Sequence, residues 1–141
     1  DIFVEIIADG KHLPPDLIRM IIKIKGFGRV ALVTDSLHLA GTDIKAGRMM
    51  ATDFIIEDGV CKLPDRSAFA GSVATSDRLV RVLVEEVGVS VPEAVGMITD
   101  VPARIMGLNK GKLAAGYDAD IISFGDRTDV RHAWVMGKSI F

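Results

Sequence analysis

In Leu32-Val33-Thr34-Asp35-Ser36 an acid stands between two hydroxyls where an apolar run stops. A carboxylate so placed can take a proton from one reacting group and return it to another. A buried parallel strand reads as a continuous apolar run, and in α/β folds the residue at its carboxyl end points into the functional crevice. Residues 30–33, Val-Ala-Leu-Val, read as such a strand delivering Asp35. The bland alternative is a helix N-cap or a loop acid, the commoner outcome for an arbitrary apolar run followed by Asp. A second polar cluster, Asp9-Gly10-Lys11-His12, closes an earlier apolar run. Three histidines and one cysteine complete the inventory. His38 lies three residues past Asp35 in a loop, His132 alternates with apolar residues in the tail, and Cys61 sits in a β-like run as a small packing residue.

The elements that must hold these residues can be read from periodicity and punctuation. Residues 3–8 form a strand ending at the turn pair Asp9-Gly10, and Pro14-Pro15-Asp16 starts a helix with proline in its first turn. Leu17, Ile18, Ile21, Ile22 and Ile24 give that helix a broad apolar face, closed by Lys25-Gly26. With the strand at residues 29–33 this is a βαβ unit, hence a parallel pair. Residues 40–70 carry short β-like runs, and Asp58-Gly59 between two of them signals a two-residue hairpin. Ser76-Asp77 can cap a helix that stops at Gly88, Ser90-Val91-Pro92-Glu93 is a capping box, and Pro102-Ala103-Arg104 opens a short helix ending at Gly107. The tail is β again, over residues 121–124 and 130–135. Met49-Met50 and Trp134 read as packing residues.

The chain has 141 residues, 49% hydrophobic, with a formal net charge of −2. Its lysines and arginines are dispersed, which leaves no electrostatic footprint for nucleic acid or a membrane surface. A lone cysteine excludes an internal disulfide and points to a reducing, cytoplasmic setting. No apolar run reaches the roughly 18 residues of a membrane span. The opening Asp1-Ile2-Phe3-Val4 already reads as strand, and the mean hydropathy of +0.34 is high for so small a domain, so the chain reads as part of something larger.

Four segments carry a resemblance that covers nearly the whole chain. They are Ile7-Ala8-Asp9-Gly10-Lys11-His12, Leu32-Val33-Thr34-Asp35-Ser36, Ala70-Gly71-Ser72, and the stretch from Gly111-Lys112-Leu113 to Asp118-Ala119-Asp120. Together they resemble the C-terminal portion of the N-acetylglucosamine-6-phosphate deacetylases, within the amidohydrolase superfamily. The last segment is common across the superfamily, while the first three are specific to the sugar-phosphate deacetylases. The resemblance implies an α/β fold: the last two strands and helices of a (β/α)8 metal-dependent hydrolase barrel, incomplete as it stands, plus C-terminal strands of a small β domain. Residues 1–118 would belong to the barrel, with a β insert at about 40–70, and residues 119–141 to the small domain.

The resemblance also implies roles. Asp35 would be the catalytic acid/base that takes a proton from a metal-activated water and passes it to the departing amine. His12 would bind the sugar phosphate near a subunit boundary, with Asp9, Gly10 and Lys11 beside the sugar. Phe69, Ala70 and Gly71 would form a loop that closes on the substrate, glycine allowing close backbone approach. The divalent metal, zinc or iron, would be held by a glutamate and two histidines upstream, and none of its ligands lies in this chain. The reaction implied is hydrolysis of N-acetylglucosamine 6-phosphate to glucosamine 6-phosphate and acetate by an oligomer, a dimer, with the fragment inactive alone. Two alternatives stand beside it: an amidohydrolase acting on another N-acyl sugar or a cyclic amide, and a non-catalytic assembly module. One departure is visible. The family has asparagine where this chain has Val101, which predicts a weaker helix entry.

Overall fold

In the computed structural model, which describes residues 2–141, the two apolar runs predicted as strands pair in parallel. β1 (Val4–Ile6) and β2 (Val30–Leu32) match Val4 to Val30 and Ile6 to Leu32, and the Val33 amide donates to the Ile6 carbonyl at 3.1 Å, one step beyond the ladder. Both strands are shorter than the apolar runs suggested. α1 (Pro15–Lys25) makes the crossover, with Lys23 and Lys25 in its negatively polarised last turn and Gly26 at φ +74 ending it. Its apolar face is narrower than predicted. Ile18 and Ile22, one turn apart, are buried, whereas Ile24 is 72% exposed, because two further residues rotate it by roughly 200°.

The chain divides into two units, residues 34–76 and the remainder. In the larger unit α2 (Ser76–Val82) runs into a π turn over Leu83–Val87 and stops at Gly88, which is left-handed at φ +84. Ser76 is the first helical residue rather than a cap. Asp77 in the first turn instead pairs with Arg81 one turn on, at 2.9 Å. α3 (Val91–Ile98) starts from the expected capping box, the Glu93 carboxylate accepting from the Ser90 amide at 3.3 Å and its hydroxyl at 2.6 Å. α4 (Asp100–Met106) corrects the expectation for Val101. That residue lies inside the helix and is 2% exposed, so the valine is a core residue and costs no cap. Ile18, Val30, Leu79, Leu83 and Met97 form the centre of this unit.

The tail strands β7 (Ile121–Phe124), β8 (Val130–Val135) and β9 (Lys138–Ser139) make an antiparallel meander. The loop between β7 and β8 is tied to α2: Thr128 Oγ1 donates to the Asp77 carbonyl at 3.0 Å and Arg81 Nε to that of Arg127 at 2.7 Å. His132 is exposed on β8, its ring centroid 5.9 Å from that of Trp134. Lys110 bonds both Asp118 and Asp120, and the second oxygen of Asp120 accepts from the Met136 amide. These two acids brace the turn that leads into the tail.

The smaller unit is an antiparallel sheet of β3 (Ala46–Met49), β4 (Thr52–Glu57), β5 (Val60–Lys62) and β6 (Phe69–Ser72). Asp58 and Gly59, at φ +53 and +74, make the predicted two-residue turn between β4 and β5, the positive angles matching the strand twist. Leu39, Phe54 and Cys61 are its buried centre, with Leu37, Met49, Ile56, Ala70 and Val73 around them. Burial raises the Cys61 thiol above its ordinary value, as befits a packing residue. Met50 corrects another expectation. It sits at the β3–β4 turn with φ +54 and is 99% exposed, so it packs on nothing.

Gly111 opens the segment that runs to Asp120 in a conformation and a space that suit glycine alone. Its φ is +82, and a Cβ there would stand 2.6 Å from the Thr99 carbonyl carbon and oxygen. Backbone crosses backbone at this point, between α3 and α4. Gly111→Ala is therefore expected to destabilise the protein by about 2–4 kcal/mol. Urea unfolding checks this, and a midpoint matching that of the unsubstituted chain would contradict it.

Candidate active site

The turn after β1 is organised by one buried carboxylate. Asp9 is fully buried and its Oδ1 accepts the Lys11 amide at 2.9 Å and the His12 amide at 3.0 Å. Its Oδ2 meets His12 Nδ1 at 2.9 Å. An ionised carboxylate is an acceptor only, so the imidazole proton lies on Nδ1 when the ring is neutral. Burial pushes the Asp9 carboxyl up, but the hydrogen bonds from the His12 and Lys11 amides and the His12 ring outweigh it and hold the group below its ordinary value. Gly10 at φ +76 supplies the turn that lets both amides point back at Asp9. The four residues thus form one structured turn with a half-buried histidine whose ring orientation is fixed. The Asp9 side chain is occupied by this turn.

Asp35 stands three residues past β2, exposed, and its backbone is in the left-handed region at φ +47. Aspartate tolerates that conformation better than most residues, at a cost of order 1–3 kcal/mol that the surroundings must offset. The next two residues do so. Ser36 bridges Ser72 in parallel and its hydroxyl donates to the Ala74 carbonyl, while the Leu37 amide donates to the Ser72 carbonyl at 2.9 Å. The strained acid is thus anchored to the end of β6. His38 follows in an exposed turn.

Phe69, Ala70 and Gly71 correct the sequence reading of a loop, since all three lie on β6. Lys62 pairs with Phe69 and Cys61 with Gly71, so Ala70 is the extra residue of a β-bulge. The close approach that Gly71 permits is by the Leu37 side chain, 3.0–3.1 Å from where a Cβ would stand, at φ +134. The sequence signalled the glycine but not the bulge, because a bulge is set by pairing across strands. Half-exposed Phe69 stands on the same bulged segment. Asp35 and the 69–71 segment are therefore neighbours through the Ser36–Ser72 bridge.

Neither polar cluster makes a metal centre by itself. Among the described residues no three His, Cys, Asp or Glu side chains converge to hold an ion. Two-coordinate Asp9–His12 falls short of the three or four protein ligands that such sites use. Among the same residues, no helix is long and apolar enough to cross a membrane.

Along the chain, the structured turn with its fixed histidine follows β1, and the exposed acid comes three residues after β2. The chain belongs to the amidohydrolase family, whose model matches residues 1–140. It is 28% identical over 138 residues to a protein of Escherichia coli K12 described as a putative N-acetylgalactosamine-6-phosphate deacetylase, covering 96% of this chain and 81% of that one. Its fold superimposes with a TM-score of 0.92, at 29% identity, on the N-acetylglucosamine-6-phosphate deacetylase of Pasteurella multocida, covering 99% of this chain and 37% of that one. A mutant of the corresponding Mycobacterium smegmatis enzyme, in complex with N-acetyl-D-glucosamine-6-phosphate, superimposes with a TM-score of 0.89, again at 29% identity and over 37% of its length. The chain thus spans little more than a third of these solved relatives.

The Asp9 turn has a pH signature. Because its carboxyl is held below the ordinary 3.8, its contribution to stability is complete above that value and is lost as pH falls through the lower folded value. Asp9→Asn should cost about 1–3 kcal/mol at neutral pH. It should also flatten the acid limb of the stability profile below 3.8. Chemical denaturation at a series of pH values checks this, and an acid limb identical in the two proteins would contradict it.

Proposed function

We propose that this chain carries the acid/base and phosphate-recognising part of an amino-sugar-phosphate deacetylase site. β1 and β2 would be the last two strands of a (β/α)8 barrel, residues 1–118 its C-terminal part, and residues 119–141 strands of a small β domain. The observation that carries the reading is Asp35, an exposed acid held in a strained conformation just past a buried parallel strand. Strain of that kind persists where the surroundings over-determine it, and it clusters at functional sites. The relatives' names supply the substrate class, N-acetylated hexosamine 6-phosphates.

Asp35 would act as general base and then general acid. Its carboxylate accepts a proton as a water oxygen bonds to the acetamide carbonyl carbon. It returns that proton to the nitrogen as the C–N bond breaks, leaving the amine and acetic acid, whose remaining proton passes to the amine to give acetate and the ammonium form. One carboxylate serves both steps because the two atoms sit on adjacent sides of one tetrahedral centre. His12, with Nδ1 committed to Asp9, would present its other edge to the phosphate, and Phe69, Ala70 and Gly71 would line the sugar beside Asp35. Amidohydrolases generally use a divalent metal, and zinc or iron is our expectation. Its ligands would be supplied by polypeptide other than this chain, which alone would not hydrolyse the substrate. The active form would be a homodimer.

A second reading changes only the sugar. The Escherichia coli relative is described as acting on the galactosamine epimer, and nothing in residues 9–12 distinguishes a C4 epimer. Assay of the catalytically competent enzyme with both N-acetylhexosamine 6-phosphates decides between them.

Asparagine tolerates the left-handed region as aspartate does, so Asp35→Asn removes the charge with little backbone penalty. It is expected to lower kcat by about 10²–10⁴-fold. His12→Ala is expected to raise KM for the phosphorylated substrate while leaving an unphosphorylated N-acetylhexosamine unaffected. Steady-state kinetics reads both. An unchanged kcat in Asp35→Asn sinks the acid/base role, and equal losses on the two substrates in His12→Ala sink the phosphate role.

A further inference from the structure

The turn that fixes His12 is gripped from one face of α2 and the π turn that extends it. Arg78 Nη2 donates to the Asp9 carbonyl at 2.8 Å. Four residues on, Val82 Cγ2 lies 3.5 Å from where a Cβ on Gly10 would stand, and four further on Glu86 Oε1 lies 3.4 Å from it. The spacing of four puts the three side chains along one stripe, and that stripe follows the Asp9–Gly10 backbone. The far end of the stripe is itself held, because Arg19 of α1 donates from Nε to the Val87 carbonyl at 2.9 Å and from Nη2 to that of Glu86.

We propose that Arg78 is the positioning residue for His12, acting through the Asp9–Gly10 peptide. The guanidinium bond fixes the direction of the Asp9 carbonyl and with it the plane of the peptide that enters Gly10. That plane decides whether the Lys11 and His12 amides turn back onto the Asp9 carboxylate. The carboxylate, once placed by those amides, decides which imidazole nitrogen of His12 carries the proton and how the ring is aimed. Arg78 is half-buried, and a charged donor to a shielded carbonyl makes a stronger bond than a neutral one. Local sequence does not signal this contact, since Arg78 lies 69 residues from Asp9. The consequence for ligand binding rests on the proposed phosphate role of His12; the effect on the ring does not.

The test reads the ring directly, by nitrogen NMR of the purified protein at about pH 8.5, where an imidazole is neutral. In the unsubstituted chain His12 should be almost wholly the Nδ1–H tautomer. In Arg78→Gln it should relax towards the mixture of an unconstrained imidazole, and the Lys11 and His12 amides should exchange about tenfold faster, while the β7–β9 amides keep their positions and rates. Arg78→Lys, which keeps the charge and a donor, should restore most of the Nδ1–H population. An unchanged tautomer and unchanged exchange in Arg78→Gln overturn the proposal. If Arg78→Gln does not fold, Arg78→Met, which keeps the apolar stem and has no donor, decides: a loosened tautomer with faster exchange at Lys11 and His12 alone supports the proposal, and wild-type tautomer and exchange overturn it. Inorganic phosphate added to the unsubstituted chain separates the two readings. A tautomer effect without a phosphate-induced shift at His12 supports the positioning role and counts against the phosphate role alone.

Discussion

The Asp9 carboxylate is the constraint on which the recognition side of this molecule depends. Removing such a group from water is costly, and the cost is met here because three donors converge on it, one from Lys11 and two from His12. Nothing else in the turn is large enough to hold its shape, since Gly10 contributes freedom rather than contacts. Because the donors include a ring nitrogen, the same bonds that stabilise the buried charge also set the tautomer and direction of His12. Stability and chemistry are carried by one set of hydrogen bonds. A change that loosens the turn must therefore alter the ring as well.

Asp35 is held by a different device. β2 delivers it past the end of a fully buried strand, but the strand does not fix its conformation. That is done by Ser36 and Leu37, which add a short parallel bridge to β6. The bulge at Ala70 and the glycine at 71 open β6 enough for Leu37 to lie against it. A turn on the larger unit carries the fixed histidine and a bulged sheet on the smaller unit carries the strained acid.

Much of this was legible in the residues, for identifiable reasons. The parallel β1–β2 pair, α1, the Asp58-Gly59 hairpin and the Ser90 capping box all follow from periodicity and local turn chemistry. What was not legible depends on partners distant in sequence. The bulge that turns Phe69-Ala70-Gly71 from a loop into a strand is a property of its pairing with β5. Val101 reads as a missing cap until the helix is seen to begin one residue earlier and to bury it. Met50 reads as packing until the two-residue β3–β4 turn points it outward. The Asp9–His12 clamp lies in between: its four residues stand out as a polar cluster closing an apolar run, but the burial of Asp9 and the grip of Arg78 are tertiary facts. The relation of the chain to amidohydrolases was carried by motifs and agrees with the family match over residues 1–140.

The central claim is that the turn at residues 9–12 recognises the phosphate of an amino-sugar phosphate. Its most direct measurement is an amide and imidazole NMR titration of the protein with glucosamine 6-phosphate and, separately, with glucosamine. The account predicts saturable shifts at Gly10, Lys11 and His12 with the phosphorylated sugar and none there with glucosamine. Equal shifts with both sugars, or binding of the phosphorylated sugar that leaves those three residues unmoved, would contradict it.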